Sequence, residues 1–182
     1  MAISKTILKN FALSMSKPDD FAAVMTLANR QLCEGNDEMM FVTVFMGMLD
    51  LVDGEFVYVN GGHNAPLVRH NDRFEYIDVA KSCMLGIDED APFKQQKMQL
   101  SKDDLIFLYT DGVTEAMNED GEQYLPEHLR DELNAEDADE SLEELLEHIR
   151  QSIKKHAGAA EQSDDITMLA VRLNRNQAGD IH

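Results

Sequence analysis

Residues 105–116, Leu-Ile-Phe-Leu-Tyr-Thr-Asp-Gly-Val-Thr-Glu-Ala, constrain the fold more than any other stretch. An apolar run ends without transition in Thr110-Asp111-Gly112, which predicts a buried strand closing on a turn. A sheet fixes the backbone of such a strand, so a carboxylate at its end is delivered with little positional slack. Asp-Gly is also among the strongest ordinary turn signals, and taken alone Asp111 reads as a turn former.

A second, similar arrangement lies near the other end, Ser163-Asp164-Asp165-Ile166-Thr167-Met168-Leu169-Ala170-Val171-Arg172-Leu173. Here the acids stand just before another predicted strand, Ile166 to Leu173. If the two strands are neighbours, Asp111 leaves one where Asp164 enters the other, and the carboxylates converge at one rim. Clustered carboxylates repel unless a cation neutralises them, and hard ions such as Mg²⁺ and Mn²⁺ prefer oxygen ligands. The competing reading of Asp164 and Asp165 is a solvated strand start.

The run Tyr109-Thr110-Asp111-Gly112-Val113-Thr114-Glu115-Ala116, followed by Asp164-Asp165-Ile166-Thr167, resembles the bacterial SpoIIE/RsbU-type serine/threonine phosphatases of the metal-dependent protein phosphatase (PPM) superfamily. Val59-Asn60-Gly61-Gly62-His63-Asn64-Ala65-Pro66-Leu67 resembles that family's Asn-Ala-Gly-His-Asn-Pro-Pro segment, and Phe41 to Phe45 with Leu49-Asp50 fits as well. The resemblance covers roughly Ile3 to Leu173. It implies an α+β fold, a PPM-type β-sandwich flanked by helices, and two Mn²⁺ or Mg²⁺ ions that activate a water to hydrolyse phosphoserine or phosphothreonine. Asp111 and Asp164 match ligands of one ion, Gly112 allows a close backbone approach, and Asp165 takes a supporting place at the metal site. The family's two earlier motifs, Gly-Asp-Tyr/Phe-Tyr-Asp and Gly-Asp-Val-Ser-Gly-Lys-Gly, have no counterpart in these residues. The second supplies the aspartate that bridges the ions. The expectation is therefore a domain without its N-terminal strands, with an incomplete metal site and little activity alone.

The bounds agree with one compact domain over residues 1–174 and a flexible tail over 175–182. Hydrophobic residues make up 43 %, which suits a globular chain. Lys plus Arg number 16 against 35 Asp plus Glu, a net charge of −19 that repels a phosphate backbone, so nucleic acid is excluded as a partner. No apolar run approaches the roughly 20 residues of a membrane span, and no signal peptide is visible. Cys33 and Cys83 are far apart in sequence and have neither metal nor disulfide spacing, which fits the cytoplasm.

Along the chain, Ile3, Ile7, Leu8, Phe11 and Met15 predict a helix over residues 3–16. Lys17-Pro18-Asp19-Asp20 opens a second helix carrying Phe21, Val24, Met25, Ala28 and Leu32. By resemblance this pair is a regulatory switch. Phe41 to Asp50 reads as a strand buried on both faces, and Asp53-Gly54 as a hairpin turn into residues 55–59. Asn71-Asp72 turns a second hairpin, and Phe93 to Leu100 forms an amphipathic strand. His63 sits in a glycine-rich loop, where a histidine is more often a structural hydrogen-bonder than a general acid. Asn118 to Glu122 lacks the spacing of a calcium loop. Helices follow at Leu125 to Leu133 and Ser141 to His156, the latter headed by a Ser141/Glu144 capping box.

The resemblance further implies a phosphorylated regulatory protein, such as an anti-sigma-factor antagonist, as substrate. An open sheet edge predicts self-association, most simply a homodimer. The alternative is a metal-free pseudo-phosphatase that uses the same fold to bind a regulator.

Overall fold

A computed structural model of the protein describes residues 21–135 and 141–174. In chain order the elements are α1 (Phe21–Cys33), β1 (Val44–Leu49), β2 (Glu55–Gly61), β3 (Leu67–His70), β4 (Arg73–Tyr76), β5 (Gln95–Gln99), β6 (Leu105–Tyr109), α2 (Asp111–Thr114), α3 (Pro126–Ala135), α4 (Leu142–Ala157) and β7 (Met168–Arg172). The fold is α+β, as the sequence predicts. The helix expected over residues 3–16 and the tail over 175–182 lie outside the described residues. The chain divides into two compact units, Met1–His63 with Asp78–Gln99, and Asn64–Ile77 with Leu100–His182.

The first unit is a three-stranded antiparallel sheet, ordered β1-β2-β5, with α1 against one face. Alternation places Val57 and Val59 of the central strand beside Phe21, Met25 and Ala28 of the helix, with Leu85 and Phe93 filling the same cluster. Asn29 is fully buried yet satisfied. Its Nδ2 donates to Asp88 O at 2.7 Å and its Oδ1 accepts from Gly86 N at 2.8 Å, so one amide pins the 84–88 loop to the helix. Buried polar groups persist where such partners exist.

The strand expected over Phe41 to Asp50 is shorter and less buried than its composition suggests. Its ladder begins at Val44, and Phe41 is 59 % exposed. Among the described residues β1 is an outer strand of its sheet, and residues 39–41 belong to a loop that Asn36 closes through both the N–H and the C=O of Met40. Apolar composition alone does not distinguish a central strand from an outer one.

The second unit is a four-stranded antiparallel sheet ordered β4-β3-β6-β7. Leu105, Phe107 and Tyr109 of β6 share one cluster with Leu129 and Leu133 of α3 and Leu145, Ile149 and Ile153 of α4. Ile106 points to the opposite face and is also buried. The β6 run is therefore an inner strand apolar on both faces, as predicted. Asn71 and Asp72 hold φ of 52° and 61°, the left-handed pair that a two-residue hairpin turn requires. Ser141 and Glu144 form the expected capping box at the start of α4.

Candidate functional site: a carboxylate rim at the β6–β7 end

Tyr109 ends β6 opposite Met168, which begins β7. Antiparallel pairing therefore brings the residues after β6 and those before β7 to the same rim, as the sequence reading requires. Thr110 fastens them. Its N–H donates to Thr167 O at 3.0 Å, its hydroxyl donates to Asp165 O at 3.0 Å, and the hydroxyl oxygen in turn accepts from Thr167 N at 2.9 Å. Sequence reasoning passed over Thr110 as part of a turn. Its signal is slight: a hydroxyl-bearing residue between a buried strand and an acid.

Asp111 opens the four-residue helix α2, with Thr110 extended at its N-cap. Gly112 follows, and its role is close approach. A Cβ there would stand 2.6 Å from Asp165 O and 3.2 Å from Asp164 O, against backbone that cannot yield cheaply. The missing side chain lets the two acidic segments touch.

Asp111, Asp164 and Asp165 are all exposed, whereas Gly112 is buried. Asp111 Oδ1 accepts from Gly112 N at 3.1 Å, and Asp164 Oδ1 accepts from Asp165 N at 2.7 Å. Each of these two carboxylates thus spends one oxygen steadying its own turn. Asp165 contributes through its backbone, its carbonyl holding Thr110 and abutting Gly112. The donors are hard oxygens of the type that Mg²⁺ and Mn²⁺ take. Among the described residues, no three His, Cys, Asp or Glu stand close enough together to hold a metal ion. The rim therefore fits such an ion as part of a donor set and needs further oxygens to complete it.

Behind the rim, the Tyr109 hydroxyl donates to the Tyr76 hydroxyl at 3.3 Å, and burial pushes both phenols up. They stay neutral and structural. His63, in the other unit, has Nδ1 3.2 Å from Thr43 Oγ1, while Asn60 Oδ1 accepts its N–H and Asn60 Nδ2 donates to its carbonyl. That is the structural hydrogen-bonding predicted for it. Asn118 closes the 118–122 turn by accepting from Asp120 N and Glu122 N, a solvated turn.

A sequence profile of the family "Stage II sporulation protein E (SpoIIE)" matches residues 1–174. Phosphoserine phosphatase RsbU of Bacillus subtilis is 30 % identical over 150 residues, covering 82 % of this chain and 44 % of RsbU. The chain spans less than half the length of the curated relatives it matches. Among solved structures, the RsbU and RsbW domains of Rv1364c from Mycobacterium tuberculosis superpose with a TM-score of 0.77 at 21 % identity, covering 96 % of this chain and 47 % of that one. The phosphatase domain of SpoIIE from Bacillus subtilis, in a crystal form without domain swapping, gives a TM-score of 0.71 at 16 % identity, with 100 % and 77 % covered. The fold is that of the SpoIIE phosphatase domains. This chain belongs to the SpoIIE family.

No helix among the described residues is long and apolar enough to cross a membrane.

Proposed function

We propose that the chain is part of a metal-dependent protein serine/threonine phosphatase acting in the cytoplasm on a phosphorylated regulatory protein, such as an anti-sigma-factor antagonist, and self-associating as a homodimer. The observation that carries this reading is the contact of the two acidic segments through Gly112, which sets Asp111 and Asp164 at one exposed rim. Asp111 and Asp164 are the residues to hold Mn²⁺ or Mg²⁺, with Asp165 supporting. A divalent ion bound there supplies an acidified water and neutralises phosphoryl charge. The chain's own part is positional: β6 and β7 fix the two carboxylates, and Thr110 keeps the segments from separating. An exposed rim admits a phosphorylated side chain of a folded protein, which a closed pocket would refuse. The rest of a two-ion donor set must come from further carboxylates, so low activity is expected of these residues by themselves.

The test is calorimetric titration with Mn²⁺ of this chain and of one carrying the family's two Gly-Asp motifs ahead of it. Asp111→Asn and Asp164→Asn variants of both accompany them. Tight binding is expected only in the longer chain, weakened about ten-fold or more by either substitution, as for other disrupted metal sites. If the Asn variants bind like their parents, the assignment of these carboxylates is wrong. The second reading is a metal-free module that uses the same fold to bind a regulator. That reading gains if neither chain takes up Mn²⁺.

A further inference from the structure

Cys33 and Cys83 are far apart in the sequence, yet the fold brings them to one corner of the first unit. Cys33 is the last residue of α1, and Cys83 lies in the irregular stretch just before the Val42–Leu85 bridge. Both are half-buried free thiols. Two asparagines on either side of Cys33 grip the loop that carries Cys83. Asn29 Oδ1 accepts from Gly86 N at 2.8 Å, and Asn36 Nδ2 donates to Gly86 O at 2.9 Å. Gly86 is thereby fixed to the segment around Cys33, and only three residues of chain, at most about 11 Å, lead from it back to Cys83. The Cys33 thiol reaches the same hub, donating to Asn29 Oδ1 at 3.9 Å. The Cys83 side chain packs against the cluster that holds Met25 and Ala28 of α1, and Leu32, the neighbour of Cys33, packs there too. Burial pushes the Cys33 thiol up, as do the charges of Glu89, Asp88 and a Cys83 thiolate, while the Gly86 N–H lowers it.

We propose that Cys33 and Cys83 are a redox-responsive dithiol, which a peroxide closes into an intramolecular disulfide tying the end of α1 to the 82–88 loop. This role is independent of the carboxylate rim and of the phosphatase reading. A disulfide needs its two Cβ atoms about 4 Å apart. Cys83 stands outside every ladder and Cys33 at the end of its helix, so each can turn toward the other without breaking a strand or a helix interior. The thiolate is the reactive form of cysteine, so the Cys33 thiol, held up by its surroundings, is the poorer nucleophile. Cys83 therefore reacts first. Its sulfur attacks one peroxide oxygen, the O–O bond breaks, and a sulfenic acid and a water result. The Cys33 sulfur then attacks the Cys83 sulfur, the S–O bond breaks, and a second water leaves with the remaining thiol proton. Two thiols and one hydrogen peroxide give one disulfide and two waters, the sulfurs being oxidised and the peroxide oxygens reduced. In a reducing compartment the pair rests as thiols, and disulfides that form there are transient and redox-sensing. The bond closes the chain from residue 33 to residue 83 around β1 and β2, which restricts the unfolded state more than the folded one.

The test is oxidation of this chain with hydrogen peroxide, followed by blocking of free thiols, digestion and mass spectrometry. Cys33→Ser and Cys83→Ser are run beside it. The expected product is one peptide pair linked through Cys33 and Cys83, in a yield independent of protein concentration and reversed by dithiothreitol. The oxidised parent should melt at a higher temperature than the reduced one, and neither serine variant should show that rise. Cys33→Ser should stop at a sulfenic acid on Cys83, trapped by dimedone, while the thiol left in Cys83→Ser should be consumed about ten-fold more slowly. The linked peptide is read on the parent alone, so a serine variant that fails to fold leaves the decision intact. A parent whose thiols stay unlinked, whether unreacted, carried on to sulfinic acid or joined only between chains, overturns the proposal.

Discussion

Among the described residues, the second sheet ends in two strands that differ in what lies beside them. At the β4 end, Phe74 N donates to Asn134 Oδ1 at 2.8 Å and Phe74 O accepts from Asn134 Nδ2 at 3.0 Å. One side-chain amide from α3 thus stands where a neighbouring strand would be. Arg73 and Glu75 flank it as an exposed ion pair at 2.8 Å. At the β7 end the outward peptide groups meet no such partner among the described residues, and the side chains on one face are apolar. An edge is made harmless when a residue from elsewhere takes up its peptide groups. It is left adhesive when its side chains match a second strand and nothing intervenes.

The largest effect expected from breaking this contrast is on β7 itself. Leu169→Pro removes an inward N–H and its ladder bond, and should cost about 1–3 kcal/mol for the group left without a partner, with the clash of the ring against the ladder added, read as a large fall in Tm. Ala170→Pro, one residue on, should leave Tm nearly unchanged, because that N–H faces outward. Equal losses at both positions would mean that β7 is not an edge in solution. The guarded edge comes next. Asn134→Ala leaves the N–H and C=O of Phe74, a residue 1 % exposed, without their partner, for a loss of about 1–3 kcal/mol in denaturant unfolding. The newly open β4 edge should also bring association that strengthens with added salt, because a net charge of −19 holds the copies apart at low ionic strength.

The smallest effect is a dependence on acid. Asn134 is carried by α3, which Glu132 links to α4 by accepting from His148 Nε2 at 3.0 Å, with His128 Nε2 at 3.3 Å on its other oxygen. Burial by itself would raise the Glu132 carboxyl. Hydrogen bonds from His148, His128 and Ser152 together outweigh it and hold the group below its usual 4.5. A carboxyl depressed in the folded state stabilises fully above its unfolded value and loses that contribution as pH falls through the folded one. The unfolding midpoint should therefore drop as pH falls below about 4.5, and Glu132→Gln should flatten that part of the profile. Amide exchange at Phe74 should report whether the β4 guard loosens with it.

The rim was legible in sequence to the extent that its chemistry is local. A buried strand running into Asp111-Gly112, and a second strand headed by Asp164-Asp165, announce themselves by composition and order. That Asp165 works through its carbonyl was not legible. A backbone oxygen has no sequence signature, and its partner Thr110 is distant in the chain. The same limit applies to Asn134. Asparagine near the end of a helix is unremarkable until Phe74 is seen beside it.

The sequence by itself determined the α+β class, the inner character of β6, the hairpin at Asn71-Asp72, the capping of α4 and the candidate carboxylates. Each rests on periodicity, on a preferred dihedral or on a hydrogen bond between residues a few positions apart. Only the tertiary structure decided that β1 is an outer strand among the described residues, that Gly112 is required by contact with Asp164 and Asp165, and that an amide from α3 covers one end of the second sheet while the other end meets no partner among the described residues. Those facts depend on which strand lies beside which. That order is set by burial summed over the whole sheet, and no short stretch of chain contains it.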